Sequence, residues 1–360
     1  MPGRPRIHAV ILAGGAGERF WPASRGKRPK PFLEVVDGHS LLDATLARAQ
    51  RFAGPECSWV VCGEEHARAV RRATGLAPRR VLVEPSRRNT AMAVGFAAQR
   101  VGAEDPEAVL AILPADHRIP DAAAFAKAMR RAARAARGAG ALVTLGVKPT
   151  RPDTGYGYIQ VGAPAGDSYP GLRRARRFVE KPDLARARRY LRKGGYLWNA
   201  GIFLFSVSAI LEEIERCAPE LHRALAPLRR TGRLRRRDAL REAYRRAPSL
   251  PLDVAVMERS RRVWTLPVDF RWSDVGTWLS LAEELGVEPG RTQILDGELL
   301  FDDEGGNLVW GDRRPIALLG VEGPAVIDTQ DVLLVTKLDR SPDVRAIVTR
   351  LKKQGRTDLT

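Results

Sequence analysis

The sequence predicts an α/β protein: a mixed, mainly parallel Rossmann-like sheet with helices on both faces, then a small C-terminal β region. Three observations carry this. Up to residue 147, short continuous apolar runs alternate with amphipathic helical stretches, the pattern of a parallel sheet buried on both sides. After Tyr156 the rhythm changes to strands with short connections and Arg-rich helices. From Gly290 to Lys337 short apolar runs are cut by Gly, Asp and Pro, as in turn-rich β structure.

Taken in order, residues 7–13 read as the first strand. Residues 41–52 form an amphipathic helix that Ser40 is placed to cap. A strand at 59–62 precedes a helix at 64–73, and a strand at 80–84 precedes a helix at 90–101. The strand at 109–113 runs into Pro114-Ala115-Asp116-His117, followed by a helix at 122–137 and a strand at 141–147. Strands follow at 158–161, 172–179 and 201–205, with helices between 207 and 246, a strand at 261–267 and a helix at 276–285. The Gly- and Pro-bearing linker after Leu285 sets the expected boundary. Residues 1–286 are expected to form a catalytic domain, and 287–360 a β domain closed by a helix at 342–353.

Composition sets limits on function. A chain of 360 residues that is 44% hydrophobic can bury a core, which excludes a disordered or disulfide-stapled class. The net charge of +18 invites a nucleic-acid reading. Nine of the 60 basic residues are lysines, however, so the charge reads first as a bias toward arginine. The Arg runs at 173–177 and 229–246 read as solvated faces, with Leu234, Leu240 and Tyr244 available for a core. They lack the interleaved aromatics of an RNA-binding strand, and no nucleic-acid partner is expected. Cys57, Cys62 and Cys217 show no metal-site spacing. The N-terminal apolar run is too short for a membrane span and ends in Gly-Gly, so a cytoplasmic protein without a membrane partner is expected.

The chemistry concentrates after the first strand, in Leu12-Ala13-Gly14-Gly15-Ala16-Gly17-Glu18-Arg19. Glycines let backbone N–H groups converge on a phosphate. Phe20 stands where a dinucleotide fingerprint needs its third glycine, and no Gly-Lys-Ser/Thr follows, so neither common nucleotide loop fits. Arg19 and Lys30 instead put two cations beside the loop, which suits a triphosphate. Asp116, at the C-terminal end of a parallel strand, can hold Mg2+ against phosphate oxygens or open a turn. Asp274 alone would read as a helix cap. Lys181, in Val179-Glu180-Lys181-Pro182, suits a sugar phosphate as a flexible point charge. Glu180 and Asn199 can bond sugar hydroxyls, and Gly155 and Gly157 allow a close backbone approach. Arg88, Asn89 and Thr90 open a helix where a base would lie, or simply cap it.

These segments resemble the sugar-1-phosphate nucleotidylyltransferases, and within them the mannose-1-phosphate guanylyltransferases. The resemblance rests on Gly14-Gly15-Ala16-Gly17-Glu18-Arg19-Phe20 with Lys30-Pro31, on Glu84-Pro85-Ser86-Arg87-Arg88-Asn89-Thr90-Ala91, and on Pro114-Ala115-Asp116-His117. It continues through Gly155-Tyr156-Gly157, Glu180-Lys181-Pro182, Trp198-Asn199-Ala200-Gly201 and Trp272-Ser273-Asp274-Val275-Gly276. It implies a nucleotidyltransferase sheet, a short left-handed β-helix in the tail, and the reaction GTP + α-D-mannose 1-phosphate → GDP-mannose + diphosphate with Mg2+. It implies Arg19 and Lys30 as catalytic residues and Asp116 and Asp274 as metal ligands. Leu12, Ala13, Gly14, Gly15, Gly17, Glu84, Arg88, Asn89, Thr90, Asp116, Gly157, Glu180, Lys181 and Asn199 are implied as the substrate-binding set. Some members of the family fuse an isomerase domain; here one activity is expected. The tail carries none of these motifs and is expected to be a structural platform for a homodimer.

Overall fold

The structure is a computed structural model that describes residues 6–15, 17–26, 28–36, 38–229, 236–311 and 314–360. Ala16 of the glycine-rich loop and Leu234 of the Arg-rich run lie outside the described residues. The chain packs as two units. The first runs through Gly14 and then takes residues 45–115 and 119–272. The second takes residues 15–44, 116–118 and 273–360. Each unit is thus assembled from several segments rather than by one cut near residue 286.

The first unit is built on β1 (Ile7–Leu12), β4 (Ser58–Gly63), β5 (Val81–Glu84), β6 (Val109–Pro114), β7 (Leu142–Val147), β8 (Tyr158–Pro164), β9 (Arg173–Val179), β10 (Tyr196–Ser206) and β11 (Val263–Val268). The short strands β2 (Glu34–Val36) and β3 (His39–Ser40) pair with each other in the second unit. The nine-stranded sheet has the order β5-β4-β1-β6-β10-β7-β11-β9-β8. β5, β4, β1 and β6 are parallel, as their continuous apolar runs predict. β6 and β7 are not neighbours: β10 runs antiparallel between them. β8 and β9 close the edge as an antiparallel pair.

Alternate residues of these strands are buried on opposite faces. Val10, Trp59, Leu110 and Ile112 join a core with α3 (Asn89–Gly102), α6 (Val207–Cys217), α7 (Pro219–Arg229) and α8 (Arg236–Arg246). Ala9, Ile11, Ala111 and Leu113 are buried too, and α4 (Ala122–Gly138) packs on β6, β7 and β10. Each fully buried Ile, Leu or Val stabilises by about 1.5–3 kcal/mol. Of the Arg-rich run, Tyr244 is fully buried and Leu240 partly, while the Arg245 and Arg246 side chains are more than half exposed. The remaining helices are α1 (Leu41–Ala53), α2 (Ala67–Thr74) and α5 (Leu184–Lys193), with α9 (Trp278–Leu285) and α10 (Val344–Lys353) in the second unit. Ser40 caps α1 as expected, accepting from the Asp43 N–H.

In the second unit, β12 (Gln293–Asp296), β14 (Leu308–Gly311) and β16 (Pro324–Asp328) stack in parallel, and β17 (Leu333–Lys337) closes the stack antiparallel. β13 (Leu299–Asp302) and β15 (Ile316–Leu318) form a second parallel pair. Successive coils of chain thus lie one above the next, a β-helix-like arrangement. Gly297, at φ 89°, shows why the turns are glycine-rich: a Cβ there would collide with the Gly311 carbonyl. The tail also packs against the segment that follows the glycine-rich loop. Trp310, Ile327, Val344 and Val348 share one core with Phe20, Trp21 and Leu33, from just after the glycine-rich loop. The Trp21 Nε1–H donates to the Leu359 carbonyl at 2.7 Å, and Arg25 grips both Asp331 oxygens at 2.7 Å. Among the described residues, no helix is long and apolar enough to cross a membrane.

Candidate active site

The predicted site residues gather in two clusters, one in each unit. The second unit holds a recess of about 420 Å³ lined by Gly17, Arg19, Lys30, Asp116, Asp274 and Arg345, among others. Its assembly starts from backbone. Arg118 and Ser273 exchange N–H···O bonds of 2.9 and 3.1 Å, and this bridge sets the 116–118 segment beside the 273–275 segment. The Arg118 guanidinium is fixed on Glu284 at 2.5 Å. Gly17 takes φ 62°, and a Cβ on it would collide with the Lys30 side chain, so glycine is required for Lys30 to enter. The buried Lys30 ammonium donates to Asp116 Oδ2 at 2.7 Å and to the Asp274 carbonyl at 2.8 Å. Burial would push the Asp116 carboxyl up, but the Lys30 charge, with His117 adding, holds it below its ordinary value. Asp274 does not cap α9. Thr277 does, accepting from the Ser280 N–H at 3.2 Å.

The first unit holds the other residues except Gly15, with which the second unit begins. At the β1 end, Leu12 is half-buried and Ala13 buried, with the Ala13 N–H bonded to the Val61 carbonyl at 2.8 Å. Gly14 and Gly15 are exposed, and Gly14 lies against Glu84: a Cβ there would be 3.8 Å from Oε2. The Tyr244 hydroxyl donates to Glu84 Oε1 at 2.9 Å. Burial raises the Glu84 carboxyl to about 7, against the pull of that hydrogen bond. Arg88 donates from Nε to the Tyr244 carbonyl at 2.6 Å and so ties down the last turn of α8. The Asn89 side chain accepts only from the next N–H, so it does not cap α3 in the usual way. Thr90 Oγ1 accepts from the Leu252 N–H at 2.8 Å.

The residues expected to meet the sugar form a polar cluster around β10, which starts at Tyr196, ahead of its predicted beginning at 201, and so takes in Asn199. Between Asn199 and Phe203 the register against β7 shifts, a bulge that includes Gly201 at φ 66°. Asn199 is buried and engaged on both sides. Its Oδ1 accepts from Thr144 Oγ1 at 2.8 Å and the Gly201 N–H at 3.1 Å, and its Nδ2 donates to Asp253 at 2.8 Å. Gly157 lies against the Glu180 carboxylate: a Cβ there would be 2.6 Å from Oε2 and would push that side chain aside. Lys181 is exposed and pairs with Glu180 at 3.2 Å.

Three residues in the cluster went unnoticed in the sequence: Asp253, Glu258 and Thr144. Asp253 opens a π-helical turn (Asp253–Met257), and Glu258 accepts from the Glu180 N–H at 2.8 Å. A π turn escapes the 3.6-residue period used to read helices. Burial, and next the Glu180 charge, raise the Asp253 carboxyl to about 7; burial also raises Glu180, opposed by Lys181. Backbone strain marks the same places. Among the described residues, the non-glycine positive-φ positions are Asn89, Lys181 and Val275, each inside or beside a candidate segment.

Comparison with known proteins agrees with this picture. Residues 8–286 match the nucleotidyl transferase family, and residues 301–351 match the MannoseP isomerase/GMP-like beta-helix domain. The xanthan biosynthesis protein XanB of Xanthomonas campestris is 40% identical over 98% of this chain and 74% of its own length. A mannose-1-phosphate guanylyltransferase of Salmonella muenchen is 36% identical over 98% of this chain and 75% of its own. The solved mannose-1-phosphate geranyltransferase of Thermus thermophilus superposes with a TM-score of 0.85 at 37% identity, covering 96% of this chain and 99% of that one.

Proposed function

Because this chain belongs to the nucleotidyl transferase family, we propose that it is a mannose-1-phosphate guanylyltransferase, catalysing GTP + α-D-mannose 1-phosphate → GDP-mannose + diphosphate. The observation that carries the transfer chemistry is the buried Lys30 ammonium, held between Asp116 and the Asp274 carbonyl in a glycine-lined recess with Arg19. Guanine and mannose follow the activity that the Salmonella relative's name states.

A phosphate oxygen of the sugar attacks the α-phosphorus in line, and diphosphate leaves. The attacking group is already an anion, so no general base is required, and the residues act by positioning and charge neutralisation. Arg19 and Lys30 neutralise the triphosphate. Lys181 places the sugar phosphate and Glu180 bonds its hydroxyls, while Asn199, whose Oδ1 is taken by Thr144 and Gly201, can offer them only the Nδ2 hydrogen not given to Asp253. Glu84, Arg88, Asn89 and Thr90 hold the nucleoside. Asp116 and Asp274 fit a divalent cation. Their donors are hard oxygens, and among the described residues no group of three or more His, Cys, Asp or Glu is placed to hold a metal ion by itself. Two carboxylates with phosphate oxygens are what Mg2+ takes. When bound, it would supply neutralisation across the phosphates.

The reading goes with a cytoplasmic enzyme acting on two small phosphate esters. It also goes with self-association through the tail, where Leu300, Leu319 and Val335 are exposed. Diphosphate release measured for the four nucleoside triphosphates against several sugar 1-phosphates tests it. Turnover highest with GTP and mannose 1-phosphate is expected. Preference for another base or sugar would overturn the assignment within the family.

A further inference from the structure

We propose that Arg345, on the first turn of α10, is a third cation for the triphosphate, acting on the two phosphates that leave as diphosphate. The proposal rests on the transfer reaction above. The C-terminal segment would then supply a binding group to the chemistry as well as packing behind it.

Arg345 lines the same recess as Arg19, Lys30, Asp116 and Asp274, and among the lining residues it alone comes from beyond Gly276. Its position is fixed from below. Val344 and Val348 of α10 are buried in the core that holds Phe20 and Trp21, so the helix cannot drift from the glycine-rich loop without opening that core. Above, the guanidinium is two-thirds exposed.

Charge counting then singles it out. Glu18 faces two cations, Lys352 Nζ at 2.6 Å and Arg345 Nε at 3.2 Å. One carboxylate needs only one of them. The shorter Lys352 bond contributes most to holding the Glu18 carboxyl below its ordinary value. Arg345 can therefore turn toward an anion while Lys352 keeps Glu18 neutralised. The other two cations are placed differently. Lys30 is already committed to Asp116, and Arg19 stands at the loop itself. A guanidinium offers a planar fork that grips two phosphate oxygens at once, which suits a diphosphate better than a point charge does.

The test compares Arg345→Ala and Arg345→Lys with Arg350→Ala, an exposed arginine on the same helix that the recess does not include. Diphosphate binding by calorimetry needs no turnover and no assumption about base or sugar. Steady-state kinetics in both directions complete it. Arg345→Ala is expected to weaken diphosphate binding and raise KM for GTP by about tenfold or more, the size of one charge-assisted hydrogen bond. KM for mannose 1-phosphate should stay within about twofold, and the melting temperature should match Arg350→Ala. Arg345→Lys should recover only part of the loss. Unchanged diphosphate and GTP binding in Arg345→Ala would overturn the proposal, and so would an equal loss for every substrate. If the parent enzyme binds diphosphate but prefers another sugar or base, the functional reading fails while the Arg345 assignment stands.

Discussion

Replacing Lys30 with Met keeps the aliphatic stem and removes the ammonium, so it isolates the charge. Lys30 makes two bonds, to Asp116 Oδ2 at 2.7 Å and to the Asp274 carbonyl at 2.8 Å. A hydrogen bond to a charged group contributes about 1.5–3 kcal/mol. The Lys30 side chain is 7% exposed but the Asp116 side chain is 34% exposed, so water screens part of the pair. The expected loss at neutral pH is about 2–4 kcal/mol. The pH dependence carries the stronger test. In the parent the Asp116 carboxyl titrates below its ordinary 3.8, so its contribution is present above that value and is lost as pH falls through the folded value. In Lys30→Met only His117 and a backbone hydrogen bond are left to oppose burial, and the carboxyl moves upward. Acid then relieves the variant. Urea unfolding should therefore show the gap between parent and variant narrowing from about pH 8 to about pH 4. Tryptophan fluorescence reports it, since Trp21, Trp278 and Trp310 lie in the core of that unit. A gap that stays constant, or that is below about 0.5 kcal/mol at neutral pH, would refute the reasoning.

Further outcomes follow from the same geometry. Asp116→Asn and Asp274→Asn should each lose most divalent-metal-dependent turnover while remaining folded; unchanged kcat and metal dependence in either would remove that residue from the site. Lys181→Arg should mainly raise KM for mannose 1-phosphate, because Lys181 is exposed and pairs with Glu180, whereas Lys30→Arg should mainly depress turnover with GTP; identical kinetic changes in the two would contradict separate phosphates. Asp253 keeps its proton in the folded state up to about 7, so folding loses stability as pH rises from the ordinary carboxylate range toward that value. Asp253→Asn should flatten that slope without abolishing it, since Glu180 is also raised, and an unaltered pH–stability curve would disprove the placement.

What could be read from the chain was local. The apolar run of β1, the glycines after it and the Ser40 cap all declare themselves within a few residues, and the structure keeps each of them. What could not be read depends on partners far along the chain. Lys30 meets the Asp274 carbonyl across 244 positions, and the bridge from Arg118 to Ser273 that sets the two aspartate segments side by side has no sequence signature. Asn199 sits on β10 rather than before it because Tyr196–Trp198 pair with β8, a partner about 40 positions back along the chain. The tail looked unrelated to the site because it holds none of the ordered motifs, yet its apolar residues complete the core under Phe20 and Trp21.

That shared core has a consequence for how the protein is made. Ribosomes deliver the glycine-rich loop early, but the hydrogen bond from Trp21 awaits a carbonyl 338 residues later, and the strands that bury Phe20 arrive only shortly before it. A nascent chain could complete much of the nine-stranded sheet while the turn at Glu18–Phe20 still lacked its floor. The recess beside that turn would then be completed late in synthesis, when the last coils close. Chains stalled or clipped before α10 would expose Phe20, Trp21 and Trp278, an apolar surface that chaperones and proteases read as unfinished.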